Sequence, residues 1–254
     1  MRAVARAADV LELLRTSNGG ASLNELAGRS ELAKPSLFRM VRTLEQTGLV
    51  ERVPGSDAYR LGVRCLALGQ AYLEQTDLSR EAMPTLQRLR DEFDETVHLS
   101  TLDNEFRVVF LEKLETTHAI GMMTSRVGRT APSHCTGSGK VLLAGLDGDP
   151  VAALETSGDL RRYTNNTIYD PDALRSELEK IREDGCSFDR EEHESSVRCV
   201  ACPIKGASGD VVASVSISGP AERLPERLLR EDLAKGVKAA AREISSRLGH
   251  TEKS

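Results

Sequence analysis

The sequence predicts an α+β protein in two parts: a small helical N-terminal part that ends in a β hairpin, and a larger part in which helices flank an antiparallel sheet. Three observations predict this fold class. Apolar residues recur at helical spacing in the N-terminal part, two short β-prone runs around a turn follow, and later runs alternate apolar and polar residues. At 254 residues the chain exceeds the usual size of one domain. We divide it into 1–61, 62–76 and 77–254.

Charge is distributed unevenly along the chain. Residues 1–64 carry ten Lys and Arg against seven Asp and Glu, a net charge of +3, so the other 190 residues carry 24 against 32, a net charge of −8. A basic N-terminal part is compatible with nucleic-acid binding. The chain has no apolar run near the roughly 20 residues that span a bilayer, and residues 1–6 show no apolar stretch before a cleavage site. We therefore expect a cytoplasmic protein without a membrane partner.

Three helices are predicted in the N-terminal part. The first, Val4–Arg15, ends before Asn18-Gly19-Gly20. The second begins at Ser22-Leu23-Asn24-Glu25, which fits a capping box. The third begins at Lys34 with Pro in its first turn and ends at Gly48, the asymmetry that is typical of a helix.

Donor side chains dominate the outer face of the third helix. Its predicted DNA-binding residues are Lys34, Ser36, Arg39, Arg42 and Thr43. By itself the helix could equally lie on the surface of a helical bundle. The runs Leu49–Val53 and Ala58–Leu61 around a Pro-Gly-Ser-Asp turn favour a winged helix-turn-helix, with Arg52 and Arg60 on the wing.

The larger part is predicted to hold helices and an antiparallel sheet. A helix from Gly62 to about Glu74 would link the two parts, and another runs from Leu78 to Phe93. The predicted strands are Thr96–Leu102, Phe106–Leu111, Val197–Cys202 and Val211–Ile217.

A Gly-Ser-Gly-Lys run at 137–140 invites comparison with a phosphate-binding loop. His134 and Val141 stand where that motif needs Gly and Ser or Thr, so ATP binding is disfavoured. Thr136-Gly137-Ser138 instead opens a helix that runs through Leu143, and the free N–H groups at its start favour a carboxylate. An ordinary N-cap is the alternative.

Cysteine chemistry offers weaker alternatives. Five cysteines, an odd number, do not form a disulfide scaffold, and we expect reduced thiols. Cys199 and Cys202 have CxxC spacing, but residues three apart in a strand point to opposite faces. A zinc site from His134, Cys135 and Cys199 stays open, as does a hydrolase that uses His134 and Cys135. We expect no enzyme activity, because side chains adjacent in sequence rarely form a nucleophile–base pair. We also expect no cofactor.

The chain resembles the IclR-type bacterial transcriptional regulators over nearly its whole length. The motifs that carry the resemblance are residues 4–11, 23–27, 39–52, 128–144, 189–193, 197–204 and 211–220. Two positions depart from the family pattern. Ser196 replaces a usual Gly, so the backbone there differs or Ser196 adopts an ordinary conformation, and Cys202 replaces a common Ala.

The resemblance implies a winged helix-turn-helix domain joined by a linker helix to a GAF-like effector-binding domain. By the resemblance, the effector-binding residues are Gly137, Ser138, Asp189, Cys199, Ser216 and Ser218. The pattern itself puts Ser214, Ser216 and Ser218 on one face of a strand, where their hydroxyl groups need water or a ligand. A solvated sheet face, and a Cys199 that is simply a small buried residue, are the alternatives.

These observations predict a transcriptional regulator, a repressor, that binds a pseudo-palindromic double-stranded operator as a homodimer or a dimer of dimers. A small organic acid in the C-terminal domain would control it. The alternatives are a small-molecule sensor that acts through protein contacts and the hydrolase named above. The steep salt dependence of DNA binding distinguishes the regulator from the sensor.

Overall fold

The computed structural model describes residues 2–30, 32–75, 77–118 and 125–251. The chain forms two compact units, residues 1–75 and 76–254. The predicted linker is thus grouped with the first unit, and its last residue, Thr76, lies outside the described residues, as do 119–124 and 252–254 of the predicted third segment. No helix in the described ranges is long and apolar enough to cross a membrane.

In its described residues the first unit contains four helices and a three-stranded antiparallel sheet. In chain order its elements are α1 (Arg2–Arg15), β1 (Ala21–Ser22), α2 (Leu23–Arg29), α3 (Lys34–Gln46), β2 (Val50–Arg52), β3 (Ala58–Leu61) and α4 (Val63–Gln75). The sheet order is β1-β3-β2, so the predicted hairpin forms. β1 was not predicted, because a two-residue strand carries no periodicity.

Local signals explain the helices of this unit. The capping box at α2 is present: the Glu25 amide donates to Ser22 Oγ over 3.3 Å, and the Ser22 amide donates to Glu25 Oε2 over 2.7 Å. On α3 a stripe of Leu37, Val41 and Leu44 is buried. This stripe packs into the core of the unit, so the opposite face of α3 is left to solvent.

The start of α4 is fixed to the first unit. The Arg64 amide donates to the carbonyl of Gly48 over 3.3 Å, and the Arg64 side chain donates to the carbonyl of Thr47 over 2.8 Å. A Cβ atom on Gly62 would lie 2.3 Å from the Gly48 carbonyl oxygen, so only glycine permits this approach. The start of α4 is therefore held against the end of α3, just before the hairpin.

The described part of the second unit forms a six-stranded antiparallel sheet with helices on both faces. Its elements are α5 (Asp77–Phe93), β4 (Thr96–Leu102), β5 (Val108–Leu114), β6 (Thr130–Ala131), α6 (Gly137–Ala144), α7 (Pro150–Ser157), α8 (Pro171–Asp184), β7 (Ser187–Arg190), β8 (Val197–Lys205), β9 (Val211–Pro220), α9 (Glu226–Leu228), a π-helical turn (Leu229–Leu233) and α10 (Ala234–Arg247). The sheet order is β6-β5-β4-β9-β8-β7.

One predicted strand begins later than its sequence indicates. The prediction started at Phe106, but the strand is Val108–Leu114, because the preceding residues form a tight turn. Asp103 Oδ1 accepts hydrogen bonds from the amides of Glu105 and Arg107, and Phe106 has a φ of +59°. The apolar Phe106 therefore belongs to the turn and not to the ladder.

Alternation along β9 gives the sheet two different faces. Val215 and Ile217 pack into the core formed with α5 and α10. Ser214, Ser216 and Ser218 point the other way and are buried. The predicted common face of these serines is therefore correct, and the alternative of a solvated face is wrong.

Candidate nucleic-acid interface and ligand cavity

The outer face of α3 presents the five predicted DNA-binding residues. Lys34, Arg39, Arg42 and Thr43 are exposed, and Ser36 is half-buried. Within the described ranges the Arg39 side chain has no hydrogen-bond or ion-pair partner, whereas Lys34 Nζ donates to Asn24 Oδ1 over 3.1 Å. The free guanidinium of Arg39 is thus available to a base edge or a phosphate.

Two of these side chains are engaged within α3. The Thr43 hydroxyl donates to the carbonyl of Arg39 over 2.9 Å. This bond uses the hydroxyl hydrogen, and the oxygen of Thr43 can still accept a hydrogen bond. The Arg42 guanidinium lies 5.9 Å from the ring centroid of Phe38, which is 42% exposed. Phe38 was not among the predicted contacts, although its spacing from Leu37 and Val41 places it off the buried stripe.

The wing arginines both have partners in the hairpin. Arg52 donates to the hydroxyl of Tyr59 from Nε and Nη2, over 3.2 and 2.9 Å. Arg60 forms an ion pair with Glu51, with 2.7 Å between Nη2 and Oε1. Arg60 therefore offers less net charge to a phosphate than the sequence indicates.

A cavity of about 160 Å³ opens between α6 and the polar face of the sheet in the second unit. All six predicted effector-binding residues line it: Gly137, Ser138, Asp189, Cys199, Ser216 and Ser218. Its volume is close to that of a cavity that accommodates benzene. The structure thus brings together residues that lie up to 81 positions apart.

Strand register explains why these residues meet. Cys199 on β8 pairs with Asp189 on β7 and with Ser218 on β9, so the three side chains share one face. α6 packs against that face, where Ser138 Oγ donates to Ser216 Oγ over 3.2 Å. Thr136 Oγ1 accepts from the Gly139 amide over 3.2 Å and caps the helix that was predicted to open here.

Asp189 has the most perturbed carboxyl group in the cavity lining. Burial, together with the negative charge of Glu192, raises its pKa to about 7. The Glu192 amide donates to Asp189 Oδ1 over 2.7 Å and opposes this shift, since it favours the carboxylate. Asp189 can therefore present either a donor or an acceptor near neutral pH.

Prediction from sequence missed a second group of lining residues. His98 and Phe110 have ring centroids 5.0 Å apart, and His98 Nε2 lies 2.8 Å from Ser125 Oγ. Burial lowers the pKa of His98 to about 3, so its imidazole is neutral. The remaining unpredicted lining residues are Val108, Arg129, Thr130, Ala131, Thr136, His193, Glu194 and Val197. The alternation of Thr96, His98 and Ser100 was the signal that could have identified His98.

The cysteine and histidine pair does not form a nucleophile and base. His134 Nε2 lies 2.9 Å from the carbonyl oxygen of Arg161, and its ring contacts Tyr163 at a centroid distance of 5.9 Å. Burial raises the pKa of the Cys135 thiol far above its usual range, so it stays protonated. Burial also raises the pKa of Cys199 to about 12. These thiols are therefore poor nucleophiles.

The CxxC sulfur atoms diverge as predicted, because Cys199 lines the cavity and Cys202 lies in the opposite core. The expectation of reduced thiols is wrong for Cys202, which forms a disulfide with Cys186. Ser187 pairs with Ala201, so Cys186 and Cys202 are the next opposed positions. In the described part of the chain, no three His, Cys, Asp or Glu side chains are grouped to hold a metal ion.

Lys140 does not behave as a phosphate-binding lysine. Its side chain is fully buried, and Nζ lies 2.7 and 2.8 Å from the two carboxylate oxygens of Glu192. Glu177 is a second neighbour, with 3.4 Å between Nζ and Oε1. The ammonium is thus committed to an internal ion pair.

Known proteins resemble both units. Residues 3–54 match the IclR helix-turn-helix domain, and residues 70–246 match the family described as bacterial transcriptional regulator IclR C-terminal. The HTH-type transcriptional regulator KdgR of Escherichia coli (strain K12) is 35% identical over 228 residues, which are 90% of this chain and 86% of that protein. The transcriptional repressor IclR of the same strain is 31% identical over 241 residues, 94% of this chain and 88% of that protein.

A solved structure shares the whole fold. It is an IclR homolog from Microbacterium hydrocarbonoxydans complexed with 4-hydroxybenzoate, with a TM-score of 0.78 and 26% identity. The match covers 97% of this chain and 98% of that one. These similarities confirm the predicted fold class and the predicted resemblance. The chain belongs to the IclR family of DNA-binding bacterial transcriptional regulators.

Proposed function

We propose that this protein is a homodimeric transcriptional repressor whose affinity for a pseudo-palindromic operator is controlled by a small organic acid bound in the second unit. The proposal rests on one observation: the start of α6, Asp189 and two serines of β9, Ser216 and Ser218, line the same cavity. Relatives named as repressors support the direction of control. The proposal includes no catalytic step, and it keeps the expected cytoplasmic location because bacterial DNA lies there.

The chemistry of the cavity favours an acid with an apolar body. Amides at the start of α6, with Ser138, would receive the carboxylate, since the first amides of a helix lack intrahelical partners. Val108 and Phe110 offer apolar contact on the opposite strand β5. Asp189 would bind a hydroxyl group of the ligand. A relative's complex with 4-hydroxybenzoate agrees with this class of ligand.

The face of α3 supports specific DNA contact. Arg39 is our choice for a base contact, and Lys34, Ser36, Arg42 and Thr43 would make supporting base or phosphate contacts. A recognition helix that lies in the major groove presents its outer residues in this way. A homodimer then places two such helices on the two halves of an inverted repeat.

Apolar residues on α4 support the dimer. Val63, Leu66 and Tyr72 are 74%, 71% and 54% exposed, and Leu68 is 56% exposed. Large apolar side chains grouped on one exposed helix indicate a protein interface. A second copy of α4 is the proposed partner, in a dimer or in a dimer of dimers.

Calorimetric titration with a panel of small carboxylates tests the ligand site. 4-Hydroxybenzoate, benzoate and pyruvate are the first probes, with the full-length protein and an Asp189→Ala variant. We expect at least one acid to bind the parent protein, and the variant to bind it at least ten-fold more weakly. Equal heats for parent and variant would overturn the site, and no binding by any acid would overturn the ligand class.

A further inference from the structure

A buried ion pair lies behind the cavity, between Lys140 on α6 and Glu192 in the turn that follows β7. Lys140 and Glu192 are 0% and 3% exposed. Removing Lys140 would leave Glu192 buried without a cationic partner, and removing Glu192 would leave Lys140 with Glu177 alone, 3.4 Å away, so both changes are costly. The pair joins α6, whose start lines the cavity, to the turn after β7. In that turn the Glu192 amide donates to the Asp189 carboxyl group.

The turn is braced on its other side as well. Thr167 Oγ1 donates to the carbonyl of Glu192 over 2.6 Å, and Thr164 Oγ1 donates to the carbonyl of Glu191 over 2.7 Å. The backbone and the side chain of Glu192 thus have separate partners. The Glu192 amide donates to Asp189 Oδ1 over 2.7 Å and so orients the Asp189 carboxyl group.

We propose that Glu192 is a positioning residue of the cavity: its ion pair with Lys140 holds the turn that fixes the buried Asp189 carboxyl group, and its negative charge disfavours ionisation of that group, so that the site takes up an acid anion together with a proton. This inference rests on the proposed ligand site. A protonated Asp189 can bind the ligand hydroxyl group without placing a second negative charge beside the incoming acid anion, whereas an ionised Asp189 repels that anion.

The charged and titratable neighbours of Asp189 come from four elements. They are Glu192 and His193 in the turn after β7, Lys140 on α6, Cys135 before α6 and Cys199 on β8. The thiols stay neutral, and burial lowers the pKa of His193, so it is uncharged at neutral pH. Arg129 and Glu194 also line the cavity, together with the neutral His98. Glu192 is the neighbouring anion that raises the pKa of Asp189, and Lys140 acts in the opposite direction.

The sign of the expected change follows from these charges. Glu192→Gln removes the negative charge that disfavours ionisation of Asp189, and it leaves Lys140, which favours ionisation. The pKa of Asp189 should therefore fall, by about one pH unit, a typical effect of one neighbouring charge. Acid binding in this variant should then weaken at a lower pH than in the parent protein.

The first test needs no ligand. Side-chain carboxyl carbons of protein labelled with ¹³C-aspartate are followed by NMR from pH 3 to pH 9, with Asp189→Asn to assign the resonance. Glu177→Gln is the matched control, because Glu177 contacts the same lysine but is not among the groups that shift Asp189. We expect a midpoint near 7 in the parent and the control, and a lower one in Glu192→Gln.

Equal midpoints in the parent and Glu192→Gln, or equal shifts in both glutamine variants, would overturn the proposal. A parent midpoint near the ordinary value of about 4 would overturn it too. If Glu192→Gln fails to fold, the double variant Lys140→Met and Glu192→Gln, which has neither buried charge, replaces it. Its midpoint should also lie below that of the parent, because Glu192 outweighs Lys140 at Asp189.

The second test uses 4-hydroxybenzoate. Titrations at pH 7 in buffers with different ionisation enthalpies report how many protons are taken up on binding. We expect about half a proton for the parent protein and a clearly smaller uptake for Glu192→Gln, and equal uptake would contradict the proposal. Failure of every acid to bind would refute the proposed function, while the NMR titration would still decide the role of Glu192.

Discussion

Gly137 at the start of α6 lies against Cys199 on β8, so closely that a Cβ atom on Gly137 would be 3.0 Å from Cys199 Sγ. This contact sets the width of the cavity at its polar end, because both residues line it. The thiol can move, whereas a backbone neighbour could not. A variant with a larger residue at position 137 should therefore fold, but the added side chain should push the sulfur atom into the space of the ligand.

Gly137→Ala should weaken acid binding by about ten-fold, since the displaced thiol occupies part of a small cavity. Calorimetric titration with an acid of the panel that binds the parent protein measures this loss. Gly28→Ala, on an open face of α2, is the matched control and should bind like the parent. The double variant Gly137→Ala and Cys199→Ala should recover part of the affinity. No recovery would show that the sulfur contact is not the cause.

Arg39→Ala should weaken specific operator binding by about 1–3 kcal/mol if Arg39 contacts a guanine. Fluorescence anisotropy with a labelled operator measures the affinity over a range of salt concentrations. Arg227→Ala, an exposed arginine of the second unit, is the control and should leave the affinity unchanged. If Arg39→Ala also leaves it unchanged, Arg39 does not lie in the DNA interface.

Ser196→Gly should stabilise the protein by up to about 1 kcal/mol. Ser196 has a φ of +64°, a left-handed conformation that costs a non-glycine residue roughly 1–2 kcal/mol, while glycine loses about 0.5–1 kcal/mol in backbone entropy. Urea unfolding measures the difference. Gly185→Ala, at a φ of +66°, should have the opposite effect. A loss of stability in Ser196→Gly would contradict the account.

Reduction of the disulfide between Cys186 and Cys202 should lower the free energy of unfolding by about 3 kcal/mol, the value for a loop of about 15 residues. Thermal unfolding with and without dithiothreitol measures this. A variant with both cysteines changed to Ala should unfold at the same temperature in both buffers. An equal effect of dithiothreitol on parent and variant would mean that the disulfide does not stabilise the fold.

Sequence alone predicted the N-terminal unit well, because its signals are local. The capping box at Ser22 and Glu25 and the buried stripe of α3 depend only on spacing along the chain. The six effector residues came from the resemblance, and the period of two on β9 supported them. Residues such as Phe110 were missed because a cavity is formed by strand register, which local patterns do not encode.

Three further features needed the folded chain. The disulfide depends on β7 lying opposite β8, and β7 itself was not predicted as a strand. Ser196 stands where the family usually has Gly, and the sequence did not decide between a changed backbone and an ordinary conformation. In the structure Ser196 keeps a positive φ, as a glycine would. Lys140 stood out in a glycine-rich run, but only the structure reveals its partner, 52 positions away.

Selection of bound duplexes from a randomised DNA library by the full-length protein, followed by sequencing, tests the central claim most directly. We expect enrichment of an inverted repeat, with half-sites about one helical turn apart or a multiple of it. Arg39→Ala should lose or relax that enrichment. Enrichment of no sequence by folded protein at low salt, with and without the acid that binds the cavity, would contradict the claim that this chain is a sequence-specific regulator.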